Sequence, residues 1–238
     1  MIGCHCEVCM SIDVKDKRLR SSILVQSALT TLVVDTTPDF RYQMLREKVD
    51  KLDAVVFTHP HKDHIGGLDD VKAYNFFLKK PMEVFANSLT EVALKREFSY
   101  IFVDKKYPGT PKVNLNSINE DSFFVGDILI EPIRVHHLNM HVLGFKFNKF
   151  TYITDANRIN DTEKEKIKHS DTIVLNALRK QSHISHYSLS EAVELVDELQ
   201  IPNAFFTHIS HQMGKHTDVS NGLPDHRKLA WDRLVLHV

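Results

Sequence analysis

Short runs of β-branched and aromatic residues alternate along this chain with stretches of helical periodicity. The runs predict strands over 23–25, 31–34, 54–58, 82–86, 128–135, 151–154, 172–175 and 204–207. The periodic stretches predict helices over 40–48, 68–77, 89–98, 161–169 and 189–199. The last has the fullest signature. Ser188 and Glu191 form a capping-box pair, Leu189, Ala192, Val193, Val196 and Leu199 recur at helical spacing, and Pro202 stands just beyond the end. Strands alternating with helices predict an α/β fold. No internal repeat, low-complexity segment or Pro/Gly/Ser-rich linker divides the chain, so one domain over 1–238 is expected.

What stands at the end of each strand is more informative. Val33-Val34 runs into Asp35, Phe57-Thr58 into His59, Val135 into His136-His137, Thr154 into Asp155, and Thr207 into His208. In sheets flanked by helices, ligands bind at the carboxyl ends of strands. The densest of these ends is His59-Pro60-His61-Lys62-Asp63-His64. Its three imidazoles and one carboxylate are the donor set of zinc and its neighbours in the first transition row. Four donors exceed what one tetrahedral ion takes from a single loop, which suggests two metals side by side. Asp35 has two readings: a hydrogen-bonding partner of the ligand-bearing loop or its imidazoles, or an ordinary turn residue before Thr36-Thr37-Pro38.

Composition narrows the classes. A chain of 238 residues, 42% hydrophobic and 26% charged, can bury one substantial core. No apolar stretch approaches the roughly 20 residues that span a bilayer, and no secretory leader pattern opens the chain. The net charge of −1, with dispersed Lys and Arg, argues against a nucleic-acid partner. All three cysteines, Cys4, Cys6 and Cys9, fall within the first ten residues. They make no complete disulfide framework, and Cys-x-Cys-x-x-Cys is a thiolate claw one ligand short of a closed zinc site. A reducing cytoplasm suits it.

Taken together, the H-x-H-x-D-H loop, a later His, a later Asp and a final His resemble the metallo-β-lactamase superfamily. Within it, Gly3-Cys4-His5-Cys6-Glu7-Val8-Cys9, Ser185-His186-Tyr187-Ser188-Leu189 and Thr207-His208-Ile209-Ser210-His211-Gln212 resemble the phosphoribosyl cyclic phosphate phosphodiesterases of the carbon–phosphorus lyase pathway. The resemblance implies a four-layer αβ/βα sandwich. It also implies one divalent ion (Zn or Mn) on His59, His61 and His137, a second on Asp63, His64 and His208, and Asp155 bridging them. A structural zinc on Cys4, Cys6, Cys9 and His211 would complete the claw over residues 1–10. Among the neighbouring His136, His137 and His141, distance from Gly144 in the family's pattern favours His137.

The implied enzyme is a phosphodiesterase acting on a small cyclic or ribose-linked phosphodiester. Two ions about 3.5–4 Å apart can share a hydroxide that attacks phosphorus, with Asp63 essential to the pair. His186 is the candidate general acid or phosphate-orienting cation; its other reading is a contact at the start of the helix after Ser188. A ribonuclease Z-like endonuclease and a catalytically impaired metal-binding protein are the alternative functions. The resemblance allows a homodimer, although no apolar stripe in the sequence demands one. The chain opens at Met1-Ile2-Gly3, without the first strand and glycine-serine loop that precede the family's cysteines, so a truncated start is expected. Arg233 stands where relatives often have Gly, a surface variation. Finally, 96–116 is long, aromatic and basic, which suggests either a lid carrying Lys105 or Lys106 over the phosphate or a segment packed on the surface.

Overall fold

The computed structural model describes residues 1–105 and 107–238, so Lys106 lies outside the described residues. These residues form two compact units, Arg20–Ile130 on the one hand and Met1–Leu19 with Glu131–Val238 on the other.

The Arg20–Ile130 unit is built on strands β1 (Ile23–Gln26), β2 (Thr31–Val34), β3 (Ala54–Val56), β4 (Met82–Ala86) and β5 (Val113–Ser117), hydrogen-bonded in that order. Only the β1–β2 pair is antiparallel among them; β2 through β5 run parallel. Parallel strands need crossovers, which are supplied by α1 (Phe40–Arg46), then α2 (Lys62–Ile65) and α3 (Lys72–Leu78), then α4 (Ser88–Glu97) and α5 (Ser99–Phe102). Strands β2 and β3 are buried throughout, as central parallel strands are. Val33, Val55, Phe57 and Val84 pack with Phe40, Ile65, Leu68, Leu94 and Ile101 from the crossovers to form the core. A short β6 (Phe123–Val125) pairs with the first residues of β7 (Ile128–His137).

In the other unit, β8 (Met140–Phe147), β9 (Phe150–Ile153), β10 (Arg158–Ile159), β11 (Thr172–Asn176), β12 (Asn203–Thr207) and β13 (Arg227–Leu229) join β7 in the order β10-β7-β8-β9-β11-β12-β13. The pairs among β10, β7, β8 and β9 are antiparallel, whereas β9, β11, β12 and β13 run parallel. Helices α6 (Asp161–Ile167), α7 (Leu189–Glu198) and α8 (His216–Ser220) connect them. Ala192, Leu195 and Val196 of α7 pack on Ile173, Leu175, Ala204 and Phe206 of the sheet.

Several expected elements differ. The helix expected over 68–77 is a 3-10 turn at Leu68–Val71 followed by α3. The reason lies at Gly67. Its N–H donates to the Thr36 carbonyl at 2.8 Å, and a Cβ there would collide with the Thr37 carbonyl oxygen and sit 2.7 Å from the Phe40 Cβ. The segment over 96–116 does not begin as a lid. Phe98, at the junction of α4 and α5, and Ile101 on α5 are buried in the core, and β5 starts at Val113. Lys105 and Tyr107 are exposed. Strand β8 was absent from the expected set because its turn carries no Gly; Leu138 adopts the left-handed conformation with φ 56° instead.

The capping box of α7 is present in full: Glu191 N–H donates to Ser188 Oγ at 3.4 Å, and Ser188 N–H donates to Glu191 Oε2 at 2.7 Å. Ser188→Ala is therefore expected to lower unfolding free energy by about 1 kcal/mol, read from the midpoint of a urea titration with an unchanged slope.

Candidate metal centre

The Arg20–Ile130 unit presents its donors at the ends of β2 and β3. Strand β2 stops at Asp35, a fully buried residue with φ 67° whose N–H donates to the Val56 carbonyl at 3.0 Å. Its carboxylate accepts three hydrogen bonds: from Thr58 N–H at 2.9 Å, Thr58 Oγ1–H at 2.8 Å and His64 Nδ1–H at 2.7 Å. Burial pushes the Asp35 carboxyl up, and the His64 imidazole and both Thr58 donors pull it back. The reading of Asp35 as a partner of the ligand-bearing loop is thus the one the structure shows.

These contacts orient two imidazoles. With its hydroxyl proton given to Asp35, Thr58 Oγ1 accepts from His59 Nδ1–H at 2.9 Å. Both His59 and His64 are therefore held by an oxygen at Nδ1, which directs Nε2 away from the anchor as a donor to metal. His59 Nε2 faces His61 Nδ1 at 3.0 Å, close to the roughly 3.3 Å edge of a tetrahedron of nitrogens 2.0–2.1 Å from zinc. His61 is exposed at the N-terminal cap of α2, and that helix places Asp63 Oδ2 3.6 Å from His64 Nε2.

The other unit presents its donors in the same way, at the ends of β7, β9 and β12. His137 Nδ1–H donates to the Ser185 carbonyl at 2.7 Å, the same anchoring seen at His59 and His64. Asp155 and His208 follow their strands in left-handed turns, with φ 54° and 55°, and His208 Nε2 lies 3.1 Å from Asp155 Oδ1. Donor atoms of His137, Asp155 and His186 all lie within 4.8 Å of one another. His186 is buried, with its ring 4.6 Å from that of His137 and 4.9 Å from that of His208. Burial pushes its pKa down to about 3, against the pull of Asp155 and with the help of His208 and His137. The imidazole is accordingly held neutral. His136 projects to the other face of β7, opposite His141 in register.

At the amino terminus, Cys4 Sγ and Cys6 Sγ each lie 3.4 Å from His211 Nδ1, and with Cys9 the four donor atoms lie within 4.8 Å of one another. A tetrahedral zinc with S and N ligands has an S–N edge of about 3.5 Å, so the donor set and its spacing fit that ion. The Cys6 thiol is pulled down to about 6, chiefly by the Cys9 backbone N–H and then by His211. A readily formed thiolate is what a metal requires.

Sequence patterning missed two supports. Asn176, fully buried at the end of β11, accepts from Ala156 N–H at 2.8 Å and donates to the Ala156 carbonyl at 2.9 Å, pinning the turn that carries Asp155. A polar residue closing the apolar run Ile173-Val174-Leu175 was the available signal. His183 is the second: its ring lies 5.2 Å from that of His186.

Residues 30–209 match the beta-lactamase superfamily domain. The chain is 34% identical over 236 residues to the octanoyltransferase of Porphyromonas gingivalis (strain ATCC BAA-308 / W83), covering 98% of this chain and 48% of that protein. It thus spans about half the length of that curated relative. It superposes on a crystal structure of a diphosphatase from the PhnP family with a TM-score of 0.93 at 36% identity, covering 100% of this chain and 91% of that one. Zinc-bound PqqB from Methylobacterium extorquens shares the fold, with a TM-score of 0.75 at 16% identity over 100% of this chain and 95% of that one. With His59–His64, His137, Asp155 and His208 all inside the matched segment, the chain belongs to the beta-lactamase superfamily.

Proposed function

We propose that this chain is a metal-dependent phosphoric diester hydrolase whose substrate is a small cyclic or ribose-linked phosphodiester. The observation that carries the reading is the common anchoring of His59, His64 and His137, each held at Nδ1 by an oxygen so that Nε2 is committed as a metal donor. The likeness to a PhnP-family diphosphatase across the whole chain supports phosphorus, rather than a carbonyl, as the reacting centre.

In this reading His59, His61, Asp63, His64, His137, Asp155 and His208 hold two divalent ions, Zn or Mn. Bound there, the ions supply Lewis acidity and a water acidic enough to attack phosphorus at neutral pH. Asp63 and Asp155 offset the positive charge that the ions bring. Asp35 and Ser185 fix ring orientation, so the imidazoles need no reorganisation when substrate arrives. His186, buried beside His137 and His208 and neutral at rest, hydrogen-bonds the leaving oxygen and orients the phosphate. To act as the general acid it first takes up the proton that the attacking water loses, then passes a proton to the leaving oxygen as the P–O bond breaks. The claw of Cys4, Cys6 and Cys9 with His211 holds a structural zinc, which suits a reducing, cytoplasmic setting for three unpaired thiols. Dispersed basic residues favour a small substrate over tRNA. Among the described residues no helix is long and apolar enough to cross a membrane.

Metal-loaded protein is expected to hydrolyse bis-p-nitrophenyl phosphate, with Asp63→Ala lowering kcat/KM by at least about a hundredfold. Full metal occupancy with no turnover would sink the phosphodiesterase reading. His186→Ala should cost about 10²–10⁴-fold on an alkyl phosphodiester, whose leaving oxygen needs a proton, but far less on a nitrophenyl ester. Equal losses on both would remove the proton-donor role. For the claw, His211→Ala should lower the zinc content of purified protein by one equivalent and increase thiol reactivity at Cys4, Cys6 and Cys9. Unchanged metal content would exclude His211 as a ligand.

A further inference from the structure

Three donor-bearing segments of one unit meet at Asn157, a half-buried residue two positions beyond Asp155. Its N–H donates to the His136 carbonyl at 2.8 Å, which ties it to the end of β7. Its Oδ1 accepts at 2.9 Å from the N–H of Leu138, the left-handed residue directly after His137. Its Nδ2–H donates at 3.1 Å to the Ile184 carbonyl, on the loop that leads into Ser185 and His186. One carboxamide thus bridges two segments that are distant in sequence. A backbone N–H on one side and a carbonyl on the other fix which end of the amide is oxygen.

The bond to Ile184 acts on more than the loop itself. Ile184 C=O and Ser185 N–H belong to one planar peptide. Asn157 holds its oxygen, and its N–H donates to His183 Nδ1 at 3.3 Å. With both ends of that plane fixed, the next carbonyl is directed as well. That carbonyl, of Ser185, is the acceptor of His137 Nδ1–H at 2.7 Å. Beyond it, Tyr187 N–H closes the segment on the Ala156 carbonyl at 2.8 Å. His186 stands between these two fixed points, its ring 4.6 Å from that of His137. His186 Nδ1 is buried and finds no hydrogen-bond partner among the described residues, so the placing of the ring falls to its backbone and to ring packing.

We propose that Asn157 is a positioning residue of the centre: by holding the Ile184–Ser185 peptide it aims the Ser185 carbonyl at His137 Nδ1 and sets His186 beside that ring. The aim of the carbonyl is a property of the fold; its consequence for reaction rests on the hydrolase reading and on the part His186 takes in it. A rotated Ser185 carbonyl releases the Nδ1 proton, and the imidazole is then free to turn or to change tautomer. Either change withdraws the Nε2 lone pair from the centre. The bridge requires a carboxamide, which presents an acceptor and a donor side by side. Asp keeps the bond to Leu138 but puts a carboxylate oxygen against the Ile184 carbonyl, so it tests the Ile184 bond alone. Leu removes both bonds at similar volume.

The test is proton exchange at the imidazole Nδ1–H groups of full-length ¹⁵N-histidine-labelled protein, wild type, Asn157→Asp and Asn157→Leu, before metal is added. Both variants should speed exchange at His137 at least about tenfold. His59 and His64, held in the other unit by Thr58 and Asp35, should stay at the wild-type rate. Unchanged exchange at His137 overturns the proposal. Equal acceleration at all three rings does so too, since Asn157 would then support only overall stability. An effect of Asn157→Leu that Asn157→Asp lacks would assign the role to the Leu138 turn and overturn it as well. With metal loaded, Asn157→Asp should lower kcat on an alkyl phosphodiester about tenfold with little change in KM, and add nothing in the His186→Ala background. Additive losses would overturn the placing of His186. A wild type with no turnover would count against the hydrolase reading alone, while the exchange rates still decide whether Asn157 holds His137.

Discussion

The buried carboxylate of Asp35 is the constraint on which the ligand loop depends. A desolvated carboxylate is costly unless its oxygens are filled. Here they are filled by Thr58, twice, and by His64. Each hydrogen bond to a charged group contributes about 1.5–3 kcal/mol. Holding a non-glycine residue at φ 67° costs about 1–3 kcal/mol, which the three bonds help to offset together with part of the desolvation of the carboxylate. The result is a single group that closes β2, fixes the start of the ligand loop through Thr58 and fixes its end through His64. Because Thr58 passes the constraint on to His59 Nδ1, one carboxylate sets the orientation of two imidazoles.

The same device recurs in the other unit with different parts. Asp155 and His208 leave their strands through left-handed turns, as Asp35 does. A strand that simply continued would point alternate side chains to opposite faces. A left-handed residue breaks the alternation and turns the side chain to the strand's end. Strain at Asp35 and Asp155 is tolerated because β2 and β9, buried throughout, over-determine the backbone, while β12 ahead of His208 is buried on one face. Asn176 adds the local lock at Asp155, bonding both the N–H and the C=O of Ala156.

Legibility from sequence followed the range of the physics. Strands β2, β4 and β11 and helix α7 could be read because their determinants are local: apolar runs, a capping box, a proline stop. The donors at strand ends were legible for the same reason, since a polar residue terminating an apolar run is a local signal. Strand β8 was not, because its turn takes a left-handed Leu138 in place of a glycine, a choice the chain tolerates only through packing. The 96–116 segment misled because its aromatic and basic composition describes the exposed part around Tyr107, whereas Phe98 and Ile101 are claimed by a core that composition does not reveal. For Asp35 both readings stood open in the sequence. The choice between them rests on Thr58 and His64, 23 and 29 residues away.

Adjacent imidazoles on one strand show how much of a histidine's chemistry is assigned by its far nitrogen. His136 and His137 share a backbone, a strand and near-equal burial. His137 donates its Nδ1 proton to a carbonyl, which leaves the lone pair on Nε2, the form of the ring that a metal would require. His136 accepts at Nδ1 from a guanidinium, which leaves a proton on Nε2 and makes that nitrogen a hydrogen-bond donor. Neither identity nor spacing in H-H distinguishes the two, because the deciding partners, Ser185 and Arg158, arrive from a separate loop and from strand β10. The alternation of β7 then keeps the two tautomers on opposite faces, so an accepting and a donating Nε2 can stand at consecutive positions without competing.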